Sequence, residues 1–87
     1  MRTITLSNGK KFPADWCGAA GNRLSINIAG TGILGKLVRA FTPEAAAEIT
    51  YTYGEQSQTF AGYTRLVTLS EGGWSPDATL ITLSKEA

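Results

Sequence analysis

Apolar and β-branched residues alternate with threonine and serine through almost every extended stretch, from Thr3-Ile4-Thr5-Leu6 to Thr79-Leu80-Ile81-Thr82-Leu83. A period of two sends successive side chains to opposite faces of a strand, so the pattern predicts a small β-rich domain. Residues 2–7 form the first strand, with Ile4 and Leu6 on one face. Asn8-Gly9 follows; the dipeptide accepts the positive φ values of a type I′ turn and predicts a hairpin whose return strand runs from Lys10 to about Asp15. Pro13 cannot donate to a ladder, which predicts an edge strand or an end to regular pairing there. Trp16 reads as a large apolar plug that anchors this hairpin to the core.

Residues 18–22 (Gly-Ala-Ala-Gly-Asn) read as a small connection, without the Lys-Ser/Thr pair or following helix of a phosphate-binding loop. Arg23 to Ile28 is the clearest strand, with Leu24, Ile26 and Ile28 inward. The period then changes: Ile33, Leu34, Leu37, Val38 and Phe41 make one broad helical stripe. Thr31 is its expected N-cap, and Thr42-Pro43 closes it. Residues 43–47 read as a turn-like linker, with a second short helix capped by Thr42 as the alternative. Alternation resumes at Glu48–Tyr53, turns through residues 54–57 and returns at Gln58–Ala61. Gly62 marks a bulge within one long bent strand continuing from Tyr63 to Leu69. Residues 71–77 are loop, and 78–84 the closing strand. The order is β-β-β-α-β-β-β-β in a single domain, residues 1–87. The expected fold is α+β: a twisted antiparallel sheet or partial barrel with one amphipathic helix across one face.

Composition narrows the chemistry. The 87 residues include no histidine and one cysteine, so structural zinc and histidine-based triads are excluded. The carboxylates are dispersed singly. No catalytic residue, cofactor or metal is expected, and Cys17 reads as a buried small hydrophobe. No apolar run reaches the roughly 18 residues of a membrane helix. The N-terminus has no apolar signal segment, so a cytoplasmic rather than secreted location is expected. The net charge of +1 hides an asymmetry: residues 1–40 carry six cations against Asp15, and residues 41–87 carry two cations against six acids. Such polarity marks either scattered surface charge, a basic edge, or ends that stack copies.

Trp74, in a Gly-Gly-Trp-Ser-Pro loop, is the leading candidate contact residue, because interface hot spots are enriched in tryptophan and loops on rigid scaffolds carry binding. Lys10 and Lys11, on the expected edge strand, read as guards against unwanted pairing or as contacts. Arg23, Arg65, Tyr63 and Trp74 are the arginine and aromatic side chains available to a nucleotide pocket or a base-stacking platform. Near-neutral charge weighs against nucleic acid.

The opening Met1-Arg2-Thr3-Ile4-Thr5-Leu6-Ser7-Asn8-Gly9-Lys10, the step Asp15-Trp16-Cys17 and Phe60-Ala61-Gly62-Tyr63-Thr64 resemble short proteins encoded by phages and prophages of Gram-positive bacteria. The resemblance implies a phage accessory protein found in the virion or the host cytoplasm, and it transfers no functional residue. The first expectation is a neck, tail or baseplate component that works by protein–protein contact or self-association. The alternatives are an anti-defence inhibitor, such as an anti-CRISPR protein or a signalling-nucleotide sponge, and a single-stranded nucleic-acid binder.

Overall fold

In a computed structural model, which describes residues 2–72 and 76–85, the alternating stretches become seven strands. They are β1 (Arg2–Thr5), β2 (Lys11–Ala20), β3 (Arg23–Ala29), β4 (Glu48–Tyr53), β5 (Gln56–Ala61), β6 (Arg65–Glu71) and β7 (Ala78–Ser84). Helix α1 (Leu34–Ala40) and a 3₁₀ turn at Ala45–Ala47 lie between β3 and β4. The sheet order is β5-β4-β1-β2-β3-β7-β6, and every neighbouring pair is antiparallel. The expected α+β architecture is the one observed.

Connectivity curls this sheet. A flat seven-stranded sheet would hold its edge strands six spacings apart, roughly 29 Å. Yet β5 ends at Ala61 and β6 starts at Arg65, four peptide steps that reach at most about 14 Å. The two edges are therefore drawn toward each other at one end, and the sheet wraps into a half-barrel that stays unclosed, with β5 and β6 unpaired to one another. The bend lies in β2. Its first residues pair with β1 as far as Thr3↔Pro13, and from Ala14 onward it pairs with β3. Between Ala14↔Ile28 and Trp16↔Asn27 the register slips, leaving Asp15 as the extra residue of a bulge that turns the strand from one half of the sheet to the other.

Both halves turn their apolar face inward. Ile4, Phe12, Ile49 and Tyr51 meet Leu24, Ile26, Ile28, Ile81 and Leu83, all buried. α1 closes one end with Leu37 and Ala40, and Phe41 stacks on Phe12 at 6.0 Å.

Several expectations change. Within the first hairpin only Gly9 takes a positive φ, 88°, so the connection is a three-residue loop closed by Leu6 N–H to the Lys10 carbonyl, not a type I′ turn. Asn8 instead accepts from the Lys10 N–H. β2 is the central strand of the sheet, not an edge; Pro13 fits because the β3 ladder begins only at Ala14. β2 continues to Ala20, so residues 18–20 are strand, and only Gly21-Asn22 turns. Trp16 is half-buried and is no core plug. Its indole lies against Gly18, where an added Cβ would come within 2.5 Å of the ring. Helix α1 starts at Leu34 with Ile33 at its N-cap and no side-chain cap, so Thr31 does not cap it; Leu34 and Val38 are exposed. Residues 45–47 form the 3₁₀ turn, capped by the Thr42 hydroxyl accepting from Ala45 N–H at 3.2 Å. The long bent strand through Gly62 is two strands at opposite edges, and Gly62, at φ 90°, turns the chain between them.

Candidate interaction site

The two edges are built differently. On β6 the register slips between Leu66 and Thr68, leaving Val67 as a bulge. The strand ends in Arg65 and Glu71, and α1 packs beside it. The Glu71 carboxylate accepts from the Gly32 N–H at 2.6 Å, tying the edge to the segment that leads into α1. Bulges, charges and covering elements are the devices by which sheets protect their edges.

Among the described residues, β5 has none of these. Its sequence, Gln-Ser-Gln-Thr-Phe-Ala, contains no charge and no proline, and its six residues pair with β4 in unbroken register. The outward-facing groups follow from the turn. Gly54-Glu55 is a two-residue connection, so Tyr53↔Gln56 closes the hairpin as a hydrogen-bonded pair and bonded pairs recur at every second position. Gln58 and Phe60 thus direct their main-chain groups to β4, and the pattern continues as Gly62 N–H donates to the Ala47 carbonyl at 3.1 Å. Ser57, Thr59 and Ala61 point theirs away from the sheet, and all three residues are exposed.

A second feature is a cavity of about 270 Å³ lined by Arg2, Trp16, Cys17, Tyr51, Tyr53 and Gln58, beside the β2 bulge. Two of the polar groups that line it serve the bulge. The Asp15 carbonyl, thrown out of the ladder, accepts from Arg2 Nη1 and from the Tyr51 hydroxyl, each at 3.1 Å. Tyr53 packs on Tyr51 at 5.1 Å. Burial pushes the Cys17 thiol up to about 12, so it stays protonated and unreactive at neutral pH. No cluster of metal-ligating side chains exists among the described residues.

The residues singled out from sequence scatter over the molecule. Arg23 and Arg65 come into one row, because both lie opposite Ser84 in the register of β7. Tyr63 is buried; it packs edge-on to Phe60 at 6.5 Å, with the Lys85 ammonium 5.1 Å above its ring. Lys10 and Lys11 lie at the far end of β2 from Arg23, about 30 Å of strand away. Since β2 is central, they guard no edge. Trp74 lies outside the described residues. Charge polarity along the chain does not become two ends either, because the basic strands β1–β3 occupy the centre and the later strands flank them on both sides.

No protein-family model, curated protein or solved structure matches this chain. Sequence reasoning placed a strand at Gln58–Ala61 but singled out neither β5 nor Arg2 as part of a site. The signal for β5 was present as a run of six residues without charge, but its meaning depends on where the strand falls in the sheet.

Proposed function

We propose that the chain is a non-catalytic binding module acting by protein–protein contact, phage-encoded as the sequence resemblance implies, and that it serves as a small neck, tail or baseplate component of the virion. The observation that supports this reading is the undefended β5 edge beside a guarded β6 edge. A soluble sheet that leaves one edge regular and uncharged presents a row of main-chain donors and acceptors ready for another strand. The test is quantitative mass spectrometry of purified particles produced with wild-type protein or with Thr59→Lys. Wild-type protein present in several copies per particle, and Thr59→Lys excluded, is the expected result. Absence of wild-type protein from particles overturns the virion reading.

A second reading, capture of a signalling nucleotide as an anti-defence protein, is favoured by Arg2 lying among Trp16, Tyr51 and Tyr53 in the bulge cavity. At about 270 Å³ this space falls just below the range of roughly 300–1,000 Å³ of typical ligand pockets, which ranks the reading second. Calorimetric titration with cyclic mononucleotides and dinucleotides tests it, and no heat of binding removes it.

A further inference from the structure

We infer that the strand received by the β5 edge is β5 of a second copy of this chain, paired antiparallel about a twofold axis through Thr59. This inference rests on the binding-module reading and names its partner. The outward main-chain groups belong to Ser57, Thr59 and Ala61, so a bonded register pairs Thr59 with Thr59 and Ser57 with Ala61 of the other copy in both directions. The strand meets its own sequence there. Only the residue on the axis faces its own copy, so a charge at position 59 would face a like charge, and charges beside it would lie diagonal to their mates. β5 carries none. At the centre stand two threonines, a favourable cross-strand pair, with small serine and alanine side chains beyond them.

Charge complementarity fixes the ends. In this register Gln56 falls opposite Gly62 of the second copy, so Glu55, next in the β4–β5 turn, comes to the place where the second copy's chain bends away from β5. Each Tyr63 ring carries a Lys85 ammonium at 5.1 Å, and the Lys85 stem rests 3.6 Å from the Cβ position of Gly62. The exposed Glu55 carboxylate of each copy therefore approaches Lys85 of the other, and the axis makes this contact twice. Shifting the axis to Ser57 would place Glu55 opposite Thr59 and lose both pairs.

Light scattering after size exclusion, over a range of concentrations, reads the outcome for four forms: wild type, Thr59→Lys, Lys85→Glu, and the swap Glu55→Lys with Lys85→Glu. Circular dichroism establishes that each is folded. Wild type is expected as a dimer and Thr59→Lys as a monomer. Lys85→Glu weakens dimerisation about tenfold, the size of two exposed ion pairs, and the swap restores it. A monomeric wild type, a dimeric Thr59→Lys, or a swap weaker than the single reversal overturns the inference. A monomer whose entry into particles still fails with Thr59→Lys would overturn the second copy as partner and leave the binding-module reading standing.

Discussion

β5 and β6 are the two edges of one sheet, joined by three residues, yet they meet solvent in opposite ways. β6 is bulged at Val67, charged at both ends, packed beside α1 and tied through Glu71 to Gly32. β5 is regular, uncharged and, among the described residues, hydrogen-bonded on one side only. Both are half polar, and neither buries much of its own surface. The difference therefore lies in main-chain availability, not in hydrophobicity. A pairing site in a small β-domain need not look apolar; it can be the edge from which protection is missing.

The strongest test acts on the link between the edges. Tyr63 is buried between Phe60 of β5 and Lys85, next to the turn that sends the chain from one edge to the other. Tyr63→Ala should cost about 3–5 kcal/mol in urea denaturation, because the vacated space lies in a corner that cannot collapse without separating the halves. A loss under about 1 kcal/mol would mean that the half-barrel holds its edges together without this residue.

Next comes the direction of the β5 main chain. Gln58→Pro removes an N–H that faces β4 and should cost about 2–3 kcal/mol. In the monomer, compared at high dilution, Thr59→Pro removes one that faces outward and forfeits only the 3.2 Å hydroxyl contact to Thr50, so about 1 kcal/mol is expected. Equal losses in thermal melts would show that the outward row has been assigned to the wrong residues. Deleting Val67 should have a smaller effect on folding and a visible one on association. Leu66, Thr68 and Leu69 would then alternate in, out and in without a bulge, leaving β6 straight and open. Concentration-dependent species larger than dimer are expected in light scattering. Their absence would mean that the charges and α1 guard β6 without help from the bulge.

The strands were legible because period two is local: each alternating stretch carries its own signal, and the strands appear with ends shifted by a few residues, except that residues 58–69, read as one long bent strand, are divided between β5 and β6. The pairing order was not legible, since it depends on contacts between distant segments. β2 illustrates the cost. Residues Gly18-Ala19-Ala20 have small side chains and poor strand propensity, and they are extended only because β3 pairs with them. Pro13 pointed to an edge because a bulge that hands a strand from one neighbour to the next is invisible in one dimension. Of the candidate interaction site, the aromatic and basic residues drew attention by type. The deciding feature was an absence of charge, which gains meaning only at an edge.

The smallest expected effect sets a scale for the edges. Cys17 lies in β2, the middle of the sheet, with its thiol buried. Its folded-state value of about 12 stands above the ordinary 9.0, so the shift works against the thiolate. Below about pH 9 the thiol is protonated in both folded and unfolded chains, and the stability linked to it is fully present. As pH rises from 9 toward 12, the unfolded chain releases its proton while the folded one retains it, so stability falls. Cys17→Ala should flatten that part of the pH dependence in urea melts. At pH 8, alkylation by iodoacetamide should proceed only through opening of the centre of the sheet, far more slowly than amide exchange at the outward N–H of Thr59 in a monomeric variant such as Lys85→Glu at high dilution. If Cys17 labels as fast as Thr59 exchanges, the centre and the open edge unfold as one unit, and β5 is not a separately exposed edge.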